Sequence, residues 1–427
     1  MANFLWEALA LYEKWASGGD LSEEEVYRLS YLLGAPTRRL EVALDRYRNV
    51  IGGLVEERCS QAPVGGEVCI YTWSRRAFKR YFPAAIDAGG TVVYKPGDGR
   101  VELLSYPLHR ARDLGVRGVS LPQASPYLAT GRVDGWQVNL YWDGILKSWV
   151  FSTRFVLHNM TFKGGRLVVG EYGERINPLV AAAERLAEEA GLYKGLAGME
   201  GWTLTFMIKH RKPASIRGIP GPHEAESLEM ILLASRAPDG RLLDPLESSE
   251  VAKKLGVASI GGLAIESLES LVDSARLSLE RPGTFLWYHT DPEHPEIYEV
   301  KSEVYHDYVR AVELGDAKSL VVLLTSETPG VYERLRDSMG GVVDDVGSAL
   351  KELEDSIRGA GSVEGVREVL AGAGIESRLI KSASKALGEG RVKRALRLIA
   401  VSVVEGFKAG EAATVLRNMA RAIREAS

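Results

Sequence analysis

The spacing of apolar residues changes along this chain, and those changes limit the folds that it can adopt. Residues 1 to about 57 place apolar side chains at three- and four-residue steps, which is the period of an amphipathic helix. From residue 67 the segments become β-branched and aromatic and are separated by turns that contain Gly and Pro, which predicts strands. After residue 305 the helical period returns, with glycines between the segments. The sequence therefore predicts an α+β fold with an N-terminal helical segment and an all-helical C-terminal domain.

The length of the chain implies more than one domain. Its 427 residues exceed the size at which a single hydrophobic core stops growing. We expect an N-terminal helical segment at 1–60, a mixed domain at 61–312 and a helical domain at 313–427. Within the mixed domain, helices are predicted at 178–191 and 264–279.

The composition is that of a globular protein in water. Hydrophobic residues make up 45% of the chain and charged residues 26%. No apolar run approaches the ~20 residues needed to span a bilayer, and the first residues lack the basic start of a secretory signal. We therefore expect a cytoplasmic protein that does not associate with membranes.

Charge is distributed unevenly. The whole chain carries a net charge of −4, whereas residues 376–427 contain 11 Lys and Arg against 5 Glu, a net charge of +6. A solvated helix face and an RNA contact explain this basic end equally well.

The two cysteines, Cys59 and Cys69, flank a Pro-Val-Gly-Gly turn. Their spacing matches no zinc motif. Two unrelated thiols are the favoured interpretation, and a disulfide across a hairpin is the alternative.

Two polar motifs flank a predicted hairpin in the mixed domain. The first is Arg132-Val133-Asp134-Gly135, and the second is Ser152-Thr153-Arg154. The hydrophobic residues between them predict strands at 137–142 and 148–152. The tryptophans of this region, Trp136 and Trp142, are expected to pack in the core or across the strand pair rather than to stack on bases.

These motifs resemble the nucleotide-binding segments K-x-D-G and S-T-R-G of ATP-dependent RNA ligases, the family typified by bacteriophage RNA ligase 1. Further segments are similar to the family's other motifs, in the same order: 88–94, 104–110, 202–208, 231–236 and 299–305. The resemblance implies a nucleotidyltransferase fold of the RNA and DNA ligase type for residues 61–312.

The resemblance also implies which positions would carry chemistry, and four of them differ from the family. The lysine that attacks the α-phosphorus of ATP falls on Arg132, and the T-x-x-F-E glutamate falls on Met207. The metal-binding glutamate of E-G-x-V falls on Pro282, and the first lysine of K-x-K falls on Glu299.

Other family positions are kept, and they are candidate nucleotide or RNA contacts. Together with Arg132 these are Asp134, Gly135, Arg154 and Lys301. The basic cluster Lys209, Arg211 and Lys212 is a further candidate, although such a turn is equally often only solvated.

The substitutions predict a degenerate site. An arginine stays protonated in proteins and cannot supply the lone pair that a nucleophile needs. A glutamate in place of a lysine repels a triphosphate by a few kcal/mol at contact, for an effective dielectric of ~20. We therefore predict an RNA-ligase-like pseudoenzyme that binds RNA, such as a structured tRNA, or a partner protein, with no certain cofactor.

Two alternatives stay open. An active RNA ligase would use ATP and Mg²⁺ to join 5′-phosphate and 3′-hydroxyl ends through a relocated lysine, Lys95 in a turn or Lys147 on the strand beside Trp149. A non-catalytic sensor would bind nucleotide alone.

The segment around His289 and His294 also holds possible metal ligands, with Asp291, Glu293 and Glu296 nearby. A solvated hairpin tip is the favoured interpretation, and no metal site is predicted.

Overall fold

The computed structural model describes residues 3–157, 160–163, 166–169, 177–290, 294–326, 328–360 and 362–426. The chain forms two compact units, one of residues 1–275 and 283–301 and the other of residues 276–282 and 302–427. Across the described ranges, no helix combines the length and the apolar character needed to cross a bilayer.

The first unit begins with helices that pack on a four-stranded antiparallel sheet with the strand order β1-β2-β3-β4. Its elements are α1 (Phe4–Ala16), α2 (Glu23–Leu32), α3 (Leu40–Val50), β1 (Val55–Gln61), β2 (Glu67–Trp73), α4 (Pro83–Asp87), β3 (Gly89–Lys95) and β4 (Glu102–Ser105). A capping box starts α2, since Ser22 and Glu25 each accept a hydrogen bond from the other's backbone N–H. Because β1 already begins at Val55, the helical prediction to about residue 57 was too long.

Strand β2 lies between two cores, which explains its continuous hydrophobic run. Cys69 and Tyr71 pack against the N-terminal helices. Val68 and Ile70 point the other way and pack with Tyr141 and Val150 of a second sheet.

The rest of the first unit contains that second sheet and a third one. Its elements are β5 (Arg112–Asp113), β6 (Leu128–Gly131), β7 (Trp136–Asp143), β8 (Ser148–Thr153), β9 (Met160–Lys163), β10 (Arg166–Val169), α5 (Pro178–Glu189), β11 (Thr203–His210), β12 (Leu228–Arg236), β13 (Leu242–Leu243), α6 (Ser248–Leu255), β14 (Ala258–Ser259), α7 (Leu268–Arg276), β15 (Gly283–Tyr288) and β16 (Glu296–Lys301). The second sheet has the order β13-β12-β11-β7-β8, with β14 beside β12, and the third has the order β5-β16-β15-β6. The predicted hairpin is β7–β8, where Trp142 makes an edge-to-face pair with Trp149.

The second unit is helical, as predicted. Its helices are α8 (Tyr305–Leu314), α9 (Ala317–Leu324), α10 (Val331–Met339), α11 (Gly341–Gly359), α12 (Val363–Gly372), α13 (Ser377–Gly388), α14 (Val392–Val403) and α15 (Ala409–Glu425). The C-terminal helix contributes Leu416 and Ile423 to the core of this unit, and both are fully buried. The α+β fold class, with helical segments at both ends, is confirmed.

The cysteines form a disulfide between β1 and β2, where Cys59 and Cys69 are directly opposed. The favoured interpretation of two unrelated thiols was therefore wrong. The turn between them brings the two strands into antiparallel register, and register cannot be read from the spacing of two cysteines alone.

Candidate functional site

A cavity of about 670 Å³ lies in the first unit where strands from all three large sheets end. This volume falls in the range of small-molecule and cofactor sites. Its walls include the ends of β2 and β8, the β6–β7 connection, β11, β15 and β16. Residues from the ligase-like motif positions line it, among them Arg132, Gly135, Arg154, Met207, Glu299 and Lys301.

Arg132 enters the cavity from the connection between two sheets. Strand β6 ends at Gly131, and the Arg132 N–H then donates to the Gly283 carbonyl at 2.9 Å, which fixes the backbone against β15. The guanidinium forms an ion pair with Glu299, with Nη1 and Oε1 2.8 Å apart. That Glu299 oxygen lies outside hydrogen-bond geometry with every described residue, so the contact is electrostatic.

Gly135 is required by packing. A Cβ at this position would lie 2.3 Å from the Ile208 carbonyl oxygen and 2.8 Å from Met207 Cγ. Glycine thus lets the start of β7 approach β11 closely. Asp134, its neighbour, is half-buried and does not line the cavity.

Arg154 follows β8 and is largely buried. Its guanidinium carbon lies 4.3 Å from the Trp73 ring centre and 4.5 Å from that of Phe155. Burial, together with the charges of Arg110 and Arg132, lowers the pKa of Arg154 to about 10, so it stays charged at neutral pH. Its Nε atom is buried without a hydrogen-bond partner among the described residues.

Arg110 is a second arginine that lies against the Trp73 ring. Its guanidinium carbon is 4.1 Å from the Trp73 ring centre and 4.5 Å from that of Tyr81. It donates hydrogen bonds to the carbonyls of Ala77 and Phe78, and burial lowers its pKa. Arg110 therefore holds the chain segment that follows β2.

Strand β16 presents alternate residues to the cavity, as the two-residue period of a strand requires. Ile297, Glu299 and Lys301 face it. Lys301 forms an ion pair with Asp113 at 2.6 Å, and Asp113 also accepts a hydrogen bond from the Gly115 N–H.

The charged side chains that line the cavity carry an excess of positive charge. They are four cations and two carboxylates: Arg110, Arg132, Arg154, Lys301, Asp113 and Glu299. Aromatic faces alternate with them, from Trp73, Phe78, Tyr81, Trp136, Phe155, Phe285 and Trp287. Cations and rings in one cavity suit a ligand that carries both phosphate and base.

The described residues do not fit a divalent metal in this cavity. Met207 lines it with a thioether, and Pro282 precedes β15, where Phe285 and Trp287 face the cavity instead. Both lining carboxylates are already paired with cations, Asp113 with Lys301 and Glu299 with Arg132. Hard cations need free carboxylate or carbonyl oxygens.

The basic cluster at the end of β11 lies outside the cavity lining. Lys209 pairs with Glu229 on β12 at 3.0 Å, and Arg211 and Lys212 are exposed. His210 between them is buried and hydrogen-bonded to Ser227.

The two candidate replacement lysines also lie outside the cavity lining. Lys95 is paired with Glu57 at 2.8 Å and Glu13 at 3.4 Å. Lys147 lies in the β7–β8 turn with a φ of 52°, not on the strand as predicted, because β8 begins at Ser148.

A second polar cluster surrounds His294. Its ring stacks on Phe4 at 4.1 Å, and its Nδ1 atom lies 3.7 Å from an oxygen of the buried Asp87. The interpretation of a solvated tip was therefore wrong for His294, because the N-terminal helix covers it. Asp291 and Glu293 lie outside the described residues.

His109, the third member of the cluster, already engages the Pro295 carbonyl and the Arg236 guanidinium through its two ring nitrogens. Hydrogen bonds, not a cation, account for this cluster.

Sequence reasoning missed the residues at the end of β2 and in the turn that follows it. Trp73, Phe78 and Tyr81 form one side of the cavity, and Arg110 stacks among them. The alternation of cations and aromatic residues over 73–81 was the available signal.

Comparisons with known proteins give structural likeness only. No protein-family model and no curated protein matches the chain. An archaeal ATP-dependent RNA ligase is 17% identical with a TM-score of 0.39, over 74% of this chain and 72% of its own. A putative ATP-dependent DNA ligase from Aquifex aeolicus is 14% identical with a TM-score of 0.39, over 74% and 80%. An RNA ligase from Naegleria gruberi, solved with PPi, is 11% identical with a TM-score of 0.29, over 60% and 98%. These low scores leave the function to be argued from the cavity itself.

Proposed function

We propose that the cavity binds the phosphate-bearing end of an RNA strand without forming a protein–AMP intermediate. The observation that carries the proposal is the Arg132–Glu299 ion pair on the cavity wall. It occupies the two positions at which the motif resemblance would place a nucleophilic lysine and a phosphate-binding lysine.

This pair removes the chemistry that adenylylation needs. A guanidinium has no free lone pair at neutral pH. The described lysine that lines the cavity, Lys301, is already ion-paired with Asp113 at 2.6 Å. A relocated nucleophile finds no support either, since neither Lys95 nor Lys147 lines the cavity.

The charge balance supports an RNA end as the ligand. A terminal phosphate monoester carries about −1.5 to −2 at neutral pH, more than an internal diester. The two positive charges in excess around the cavity match it, and Arg154 is one of the cations that line the cavity. The flanking rings can stack on the terminal base.

The test is the affinity of the full chain for a short unstructured RNA with and without its 5′-phosphate. We expect tighter binding of the phosphorylated strand. Substitution of Arg154→Gln should weaken it about 10- to 100-fold, the size of a lost charge-assisted hydrogen bond. Arg39→Gln, an exposed cation outside the cavity lining, is the matched control and should change little. Equal affinity for both strands would contradict the proposal.

The rival functions make different predictions. An active ligase would seal 5′-phosphate to 3′-hydroxyl RNA ends with ATP and Mg²⁺ and lose this activity in Lys95→Ala or Lys147→Ala. A nucleotide sensor would show a rise in thermal stability with ATP or ADP that RNA does not reproduce.

A further inference from the structure

A basic turn follows β2 directly, and two of its residues line the cavity. Residues 74–81, called the cationic turn below, contain Arg75, Arg76, Lys79 and Arg80 and no acidic residue. All four cations are exposed. None of them makes an ion pair or a side-chain hydrogen bond with a described residue.

The backbone of the turn is hydrogen-bonded at both ends, although its four cationic side chains have no partner among the described residues. Ser74 donates through Oγ to the Gly53 carbonyl and through its N–H to the Leu54 carbonyl, both at 2.9 Å. At the other end, Arg110 donates to the Ala77 and Phe78 carbonyls. Hydrogen bonds therefore anchor the backbone of the turn at both ends, and the four cations are exposed on it.

Aromatic side chains lie between these cations and the cavity. Phe78 and Tyr81 belong to the turn and line the cavity, and Phe78 is 37% exposed. Phe155, on the neighbouring rim, is 42% exposed. Exposed rings among unpaired cations match the repeating base and phosphate of a single strand. An acidic protein surface would have no bases to stack on the exposed rings. A duplex could not stack on them either, because its bases are paired and stacked inside the helix.

We infer that the cationic turn binds the phosphodiester backbone of a single-stranded nucleic acid and leads its end into the cavity. This inference rests on the proposed function for the identity of the strand's end, and it adds the surface that holds the strand outside the cavity. Arg75, Arg76, Lys79 and Arg80 contact successive phosphates, and Phe78 stacks on a base.

The experiment compares the full chain with a variant in which Arg75, Arg76, Lys79 and Arg80 are all changed to Gln. The probe is a labelled, unstructured single-stranded RNA, and its affinity is measured over a series of salt concentrations. Each lost phosphate contact should reduce the slope of log K against log salt by about 0.7, so the slope should fall by about 2 to 3. Near 0.1 M salt, the affinity should fall on the order of 100-fold or more.

The matched control removes four exposed cations elsewhere in the same unit: Arg39, Lys194, Lys253 and Lys254 to Gln. It makes the same change in net charge, and its slope should stay within about one unit of the wild-type slope. Thermal unfolding of both variants checks that they fold, since all eight positions are exposed.

An unchanged slope in the turn variant, or an equal loss in the control, would overturn the inference. The inference would also be overturned if the turn variant lost as much affinity for duplex RNA or for polyglutamate as for single-stranded RNA, because the surface would then be a general anion site. Failure of the proposed function has a different signature. In that case the turn variant loses affinity, but the 5′-phosphate and Arg154→Gln make no difference.

Discussion

Removal of the Glu299 charge should make the cavity bind RNA ends more tightly. Glu299 is ion-paired with Arg132 at 2.8 Å, and its side chain is only 14% exposed. A ligand phosphate on the Arg132 guanidinium would therefore approach the carboxylate. Glu299→Gln keeps the shape of the side chain, removes this repulsion and releases Arg132 for the ligand.

The size of the effect follows from the geometry. For a phosphate charge about 5 Å from the carboxylate and an effective dielectric of about 20, the repulsion is about 3 kcal/mol. The Arg132 side chain is 35% exposed, so water and salt reduce this to about 1 kcal/mol. We expect about a fivefold gain in affinity for 5′-phosphorylated RNA. The gain should shrink as salt rises.

The assay is fluorescence anisotropy of a labelled 5′-phosphorylated RNA at low and moderate salt. Glu7→Gln is the matched control, because Glu7 also pairs with a cation, Arg28 at 2.6 Å, but lies outside the cavity lining. It should leave the affinity unchanged. Unchanged or weaker binding by Glu299→Gln would refute the reasoning, since it would mean that no phosphate approaches Arg132.

Three further outcomes concern stability. Arg110→Gln should lower the free energy of unfolding by about 2 kcal/mol, because charge-assisted hydrogen bonds to backbone carbonyls are lost. It should also speed amide exchange in residues 74–81, and unaltered exchange would show that Arg110 does not hold the turn. Changing Cys59 and Cys69 to Ser should cost about 2 to 3 kcal/mol in denaturant unfolding, because the bridge closes a short loop, and equal stability of both forms would speak against a bridge. Burial and the nearby Arg236 charge hold the pKa of His109 well below its usual value, so the unfolded chain takes up a proton near pH 6.5 that the folded chain does not. The free energy of unfolding should therefore fall by up to about 1.4 kcal/mol per pH unit below pH 6.5, whereas above pH 6.5 His109 should add no pH dependence. If a His109→Gln variant loses stability with falling pH as steeply as the wild type, His109 is not the cause.

The order of the elements was predictable because local periodicity decides it. Ser22 with Glu25 marked the start of α2, and the runs on either side of the β7–β8 turn marked that hairpin. The motif resemblance also assigned Arg132, Arg154 and Glu299 to one nucleotide-binding site, and all three line one cavity.

The partners of the charged residues were not predictable, because they depend on contacts between distant segments. Glu299 was identified as a substitution, but its ion pair with Arg132 joins residues 167 positions apart, one on β16 and the other directly after β6. The stacking of Arg110 on Trp73 and the burial of His294 under Phe4 also join segments that are far apart in the sequence. Such contacts are fixed by the packing of whole sheets, which no short window of sequence contains.

The absence of adenylylation is the central claim, and covalent labelling tests it most directly. The full chain and the Arg132→Lys variant are incubated with α-labelled ATP and magnesium or manganese, denatured, and examined for label on the protein. We predict no label on either, because a lysine at 132 would lie beside the Glu299 carboxylate, which stabilises its charged form. A covalent adenylate on the wild-type chain would contradict the account. Label on the variant alone would show that Arg132 is the single lesion and that the other substitutions do not disable the site.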